Sequence, residues 1–201
     1  MGRVSVESET AFAHPAEVIY DFVTNPANWG RTYKGSGGVH QDLKLPLQVG
    51  DTWEEKVDLP PNLYVSKWTL ITALRPRKWV FQQINDVGKH EDGRAGVEGI
   101  TTISYTFENP GQGVTLFTRN LTIELPKGVG IPDDLLTVCC RPDGIGRYHA
   151  AIEKELDKEY GEGSKKEFDE PSGYCGSVGA RDHAVAVEAS YQGLAGADAL
   201  R

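Results

Sequence analysis

The chain has 201 residues, 39% hydrophobic and 25% charged, the balance of a soluble globular protein long enough to bury a core without disulfides or metals. Its formal net charge of −8 argues against non-specific binding to nucleic acid or to an anionic membrane, since both need a basic surface. Cys139, Cys140 and Cys175 are odd in number and lack CxxC spacing, which fits reduced thiols in a cytoplasm better than a disulfide framework.

Val4, Val6 and Phe12 alternate with Ser5, Glu7 and Glu9, the period of a half-buried strand. Pro15 then suits a first helical position, and Val18, Ile19, Phe22 and Val23 make one apolar face over two turns. Asn25-Pro26 stops that helix, because the residue before proline is pushed out of the α region. A short turn carrying Trp29 follows, then the glycines of KGSGG.

Strand and turn dominate from there to residue 125. Asp51–Val57, Leu63–Ala73 and Lys78–Ile84 alternate, with Pro60-Pro61 and Arg75-Pro76-Arg77 as turns. A charged, glycine-rich loop, DVGKHEDGRAGVEG, leads into ITTISYTFE and, past Pro110-Gly111-Gln112-Gly113, into VTLFTRNLTIEL. Six or seven meandering strands predict one large antiparallel sheet.

The last ordered element is predicted to open at Pro132-Asp133-Asp134. Val138, Pro142, Ile145, His149, Ile152, Leu156 and Tyr160 recur at helical spacing, one stripe of a helix packed on a sheet. Pro142, Gly144 and Gly146 predict a kink or break, with the regular helix from about Arg147 to Tyr160. These elements make a domain over 1–160. Residues 161–201 read as a low-order tail with a weak helix near Ala184–Leu194.

The order of strand, two short helices, meander and long C-terminal helix, an α+β architecture, resembles the helix-grip fold of the START/SRPBCC superfamily, most closely its polyketide cyclase/dehydrase-like branch. The proline-led helix PAEVIYDFV, NPANW after it, LQVGDTWEEKV and LRPRKWVFQ carry the resemblance, which covers about residues 3–160. It implies a curved sheet wrapped on the long helix, with a cavity between them that Trp29 either lines or plugs. It implies no shared catalytic motif, because members share a cavity rather than a chemistry.

Alternation assigns the faces of that sheet. Phe117, Leu121, Ile123 and Leu125 share the inner face with Arg119 among them, Trp53 and Val57 share it with Glu55, and Tyr64, Trp68 and Leu70 line up likewise. Trp79 goes with Phe81, and Ile103 with Tyr105 and Phe107, while His149 falls on the apolar stripe of the helix. Burying an ionisable group alone costs several kcal/mol, so Glu55, Arg119 and His149 need partners or water. They are either a buried ion pair beside a satisfied core histidine, or the polar floor of a solvated pocket.

On the second reading Arg119 holds an enolate, phenolate or carboxylate oxygen, His149 moves a proton, Glu55 orients Arg119 or acts as base, and Tyr105 donates to a carbonyl. Trp53, Trp68 and Phe117, with Trp29, Tyr33 and Leu121, would contact a flat, polycyclic or lipid-like ligand. Three functions remain open: a cofactor-free cyclase, dehydratase or isomerase, a carrier of a lipophilic molecule, and a co-chaperone-like partner protein. Either of the first two is expected to act as a monomer or homodimer.

Other signals are weak. His14, His40, His90, His149 and His183 show no ligand spacing, so no metal site is predicted. Gly-Ser-Gly-Gly at 35–38 lacks the lysine of a phosphate loop and reads as a turn or pocket rim. No basic-then-apolar leader precedes the first strand and no apolar run approaches the ~20 residues that span a bilayer, so the Asn120 sequon reads as chance and the expectation is a cytoplasmic protein without membrane insertion.

Overall fold

Alternating valines and aromatics along five successive segments force one face of each strand out of water, and the chain answers with a single antiparallel sheet. The computed structural model describes residues 2–59, 62–87, 97–111, 113–129, 142–161 and 186–189. In chain order the strands are β1 (Arg3–Phe12), β2 (Thr52–Leu59), β3 (Asn62–Leu74), β4 (Lys78–Val87), β5 (Val97–Gly111), β6 (Val114–Glu124) and the short β7 (Ala186–Ala189). The helices are α1 (Ala16–Val23), α2 (Trp29–Thr32) and α3 (Pro142–Tyr160), with a 3₁₀ turn over Pro26–Asn28. Sheet order is β2-β3-β4-β5-β6-β1-β7, so β1 crosses over to pair with β6.

The break between α1 and α2 is built by its own side chains. Asn25 accepts from the Ala27 amide and caps the 3₁₀ turn, which Pro26 opens. Helix ends leave carbonyls without intrahelical partners. Here the Asn28 amide donates to the Phe22 carbonyl at 2.9 Å and the Trp29 indole N–H to the Val23 carbonyl at 3.0 Å. Asn-Pro-Ala-Asn-Trp is therefore a stop signal that supplies its own caps.

Helix α3 lies against the sheet through Tyr148, His149, Ile152 and Leu156, all buried. Two expectations change here. The helix runs from Pro142 through Gly144 and Gly146 without a break, because proline at the first turn costs no intrahelical bond. Tyr160 is exposed at the last turn, beyond the part of the sheet that covers the helix. Arg31 reaches across from α2 to Glu155 and Glu159 at 3.2 and 2.6 Å, and the buried His14 ring bonds Asp157 at 2.9 Å. The expected helix start at residues 132–134, Val138 and the Cys139-Cys140 pair lie outside the described residues.

In place of the weak helix expected near Ala184–Leu194, residues 186–189 form a strand antiparallel to β1, pairing Val4 with Ala189 and Glu7 with Ala186. The open edge of β1 offers unpaired backbone groups that outweigh the helical preference of an alanine-rich segment. At the opposite edge, residues 35–38 run beside β2: Gly37 N–H donates to the Lys56 carbonyl, Lys56 N–H to Gly38 and Asp58 N–H to Gly35. Gly38 has φ +94°, a conformation that favours glycine, and a Cβ on Gly37 would meet the Lys56 side chain at 3.1 Å and have to displace it slightly.

Candidate functional site

The inner face carries the predicted rows: Trp53, Glu55 and Val57 on β2, Trp68 and Leu70 on β3, Trp79 and Phe81 on β4, and Ile103, Tyr105 and Phe107 on β5 are all buried, and Ser66 and Gln83, which were not predicted, are buried with them. Burial of the Tyr64 side chain lies outside the described residues. Most of the volume between β2, β4 and α2 is aromatic. Trp29 packs on Trp53, Trp79 and Phe81 with ring centroids 5.8, 6.2 and 5.1 Å away, and Trp53 stacks on Trp79 at 5.6 Å. Trp53, Trp79 and Phe81 are each 1% exposed, closed in by one another and by Trp29.

The polar side chains gather in three places. The first joins β5, β6 and α3. Arg119 is opposite Tyr105 in the β5–β6 ladder, and its guanidinium donates to the Tyr105 hydroxyl and lies 5.8 Å from the centre of the Tyr148 ring. The Tyr105 and Tyr148 hydroxyls are 3.2 Å apart, and Tyr33 packs edge-on against Tyr148 at 5.9 Å. Both phenols are buried, yet Arg119 is only half-buried although Phe117 and Leu121 flank it on the same face. Burial pushes the Tyr105 hydroxyl above the usual tyrosine range against the opposing charge of Arg119, and burial together with Tyr105 pushes Tyr148 well above it. Both hydroxyls stay protonated at neutral pH and serve as donors.

The second place is Glu55, buried at 5% exposure. Trp68 donates its indole N–H to Oε2 at 2.9 Å and the Ser36 hydroxyl donates as well, so the glycine-rich strap along β2 contributes a ligand to the carboxylate. Desolvation holds the Glu55 carboxyl above the usual range in spite of these donors and of the Arg119 charge. Arg119 acts on it through its field, and Glu55 in turn raises Tyr105.

The third is His149, with Nε2 3.4 Å from the Ser8 hydroxyl and its ring edge-on to Phe12 and Phe117 at 6.5 and 5.7 Å. At 1% exposure it lies deeper than Arg119, among apolar rings. The sequence pattern thus names residues of all three places but not their grouping. Phe117 is fully buried and touches Tyr105 at 5.3 Å, and Leu121 is opposite Ile103 and Val6 in the adjoining ladders. Tyr148 was not predicted, although it lies three residues after Ile145 and four before Ile152, the spacing that marks a shared helix face. Ser36 and Ser8 carried no signal beyond their place in strand or turn.

No protein-family profile matches the chain. Over 123 residues, 60% of this chain and 76% of the relative, it is 27% identical to penitrem biosynthesis cluster 1 protein I of Penicillium ochrochloron. Among solved structures, the ZhuI aromatase/cyclase of Streptomyces sp. R1128 superposes with TM-score 0.58 at 13% identity, covering 78% of this chain and 95% of that one. A START superfamily protein from Mycobacterium smegmatis gives 0.55 at 11% identity over 78% and 99%. The fold is that of the START superfamily. The di-domain aromatase/cyclase BexL of the BE-7585A biosynthetic pathway adds a further START-fold likeness, TM-score 0.56 at 15% identity over 77% of this chain and 50% of that protein. Among the described residues of this START fold, no helix is long and apolar enough to cross a membrane.

Proposed function

We propose that the chain binds a hydrophobic, oxygenated small molecule of polyketide or aromatic type at the inner face beside Arg119, and that it cyclises or dehydrates that molecule by acid–base chemistry without a cofactor. One observation carries the reading: a permanently charged guanidinium, only partly buried on an otherwise apolar face, bonded to the Tyr105 hydroxyl, which in turn meets the Tyr148 hydroxyl, both of them protonated. Its likeness to aromatase/cyclases and to a biosynthesis-cluster protein supports the substrate class.

The roles follow from charge. Arg119 and the Tyr105 hydroxyl stabilise a ligand carbonyl oxygen as it becomes an enolate, and Glu55, its basicity raised by burial, takes the α-proton. The enolate carbon then attacks a second carbonyl of the same molecule, forming the ring bond. The new alkoxide takes a proton from the Tyr148 hydroxyl, and solvent returns the proton held by Glu55 to Tyr148. For dehydration Glu55 takes a second α-proton as the C–O bond breaks, and the hydroxyl leaves as water with a proton from Tyr148. His149 supports this indirectly by fixing α3 against Ser8. The carrier reading rests on the same donors: two hydroxyls that cannot ionise near neutrality suit binding as well as turnover.

The test begins with the protein isolated from its own source, denatured, and its extract analysed by mass spectrometry. An oxygenated aromatic or polyketide-like compound is expected from the wild type and absent from Arg119→Ala. With that compound as substrate, Tyr148→Phe should lower kcat about 100-fold or more, the usual loss for one donor to a developing oxyanion. Unchanged binding and turnover in Arg119→Ala would sink the proposal, and binding without turnover in the wild type would favour the carrier.

A further inference from the structure

In Gly35-Ser36-Gly37-Gly38 the serine alone carries a side chain, and the backbone decides which face it takes. An antiparallel bridge sets Ser36 opposite Val57, so its side chain lies on the inner face that Val57 and Glu55 share, diagonal to Glu55. Three backbone bonds pin the strap to β2 around that bridge: Gly37 N–H to the Lys56 carbonyl at 2.6 Å, Lys56 N–H to the Gly38 carbonyl at 3.1 Å and Asp58 N–H to the Gly35 carbonyl at 2.8 Å. Gly38 N–H donates to Ser36 Oγ at 3.2 Å, which engages a lone pair of the oxygen and leaves the hydroxyl proton for Glu55. Ser36 is buried, so water competes little for that proton.

A serine that only closed the Gly38 turn would need its oxygen and not its proton. Here the proton is used, and on the residue to which the proposed chemistry assigns the base. Trp68 donates to Oε2 from β3 at 2.9 Å, and Ser36 donates from the strap on the other side of β2. Donors held by two different elements restrict the rotation of the carboxylate, as supporting hydrogen bonds do for a reactive group. We infer that Ser36 is a positioning residue, whose hydroxyl fixes the orientation of the Glu55 carboxylate and favours its charged form. The role as support for a base rests on the proposed function, and it extends that site to the glycine strap. The stretch leading into the strap contains Tyr33, whose ring packs on Tyr148. One short length of chain therefore touches both the group proposed to take a proton and the group proposed to give one.

The test reads Glu55 directly, in the full chain without ligand. Carbon-13 NMR follows its side-chain carboxyl through a pH titration, the signal assigned by its loss in Glu55→Gln. Ser36→Ala removes a donor to the charged form, so the Glu55 pKa should rise by about one pH unit. Ser36→Thr, which keeps a hydroxyl, should restore the wild-type value. Arg119 of β6 and the Tyr105 hydroxyl of β5 also act on Glu55, while Glu54 and Lys56 are exposed on the other face of β2; replacing Ser36 leaves these in place. Arg31→Ala is the control. It releases Glu155 and Glu159 on α3 but keeps the three bonds to β2, and it should not move the titration. An unshifted Glu55 in Ser36→Ala, or an equal shift in Arg31→Ala, would mean that packing of the strap and not the hydroxyl sets the carboxyl, and overturns the inference. No substrate enters this titration, so a wild type without turnover overturns the proposed function and leaves the control of Glu55 by Ser36 standing.

Discussion

Glu55 shows how one residue sets a pH dependence. Its carboxyl lies above its ordinary value of 4.5 because burial opposes the charge, while Ser36 and Trp68 pull it down without prevailing. A folded-state value above the unfolded one means that the native state holds the extra proton across that window. Stability therefore falls as pH rises from 4.5 to the raised value, and the loss is complete above it. Glu55→Gln keeps an acceptor for Trp68 and has no charge to desolvate. Denaturant melts at about pH 5 and about pH 8 should show wild type losing stability between them and the variant flat. A parallel decline in both proteins would place the pH dependence elsewhere. The residue scale is also where sequence reading reached furthest and stopped soonest. Glu55, Arg119 and Tyr105 were identifiable because each breaks an apolar alternation, which is a one-dimensional signal. That Arg119 meets Tyr148, and that Ser36 reaches Glu55, are matters of helix rotation and loop path, which alternation does not encode.

At the scale of elements, α3 divides by contact. Leu156 is fully buried, so Leu156→Ala should destabilise by about 2–5 kcal/mol, the range for emptying a core site. Tyr160, one turn later and exposed, should change stability by no more than about 0.5 kcal/mol when replaced by alanine. Chemical unfolding of the two variants checks both, and a large effect at Tyr160 would show that the stripe extends further than the contacts do. The strands were legible because period-2 patterning survives any packing partner. The onset of α3 was not, since Pro142, Gly144 and Gly146 read as breakers until the first turn is seen to tolerate them. Nor was β7, whose two alanines and one valine suit helix or strand and are decided by the vacant edge of β1.

For the whole molecule, the sheet has a cover at each margin: the glycine strap beside β2 and β7 beside β1. Gly2 bonds Leu125, so the even-numbered β1 residues face β6 and Ser5, opposite Glu188, faces β7; Glu188→Pro removes a donor from that short pairing. By hydrogen exchange, the β1 amides directed toward β7 should then exchange faster, while those bonded to β6 keep their protection. Equal acceleration of both sets would mean that the seventh strand braces the entire sheet rather than its edge.

The pairing of β1 with β6 imposes an order on biosynthesis. Arg3 is opposite Glu124 and Phe12 opposite Thr115, while β2 to β6 each pair with the strand made just before or after them. On a translating ribosome the meander can therefore zip up hairpin by hairpin, but the first strand made has no partner until the sixth emerges. At ordinary elongation rates that interval is on the order of ten seconds. During it Val4, Val6 and Phe12 are exposed to the cell, so within this domain the nascent chain should need a chaperone most at β1.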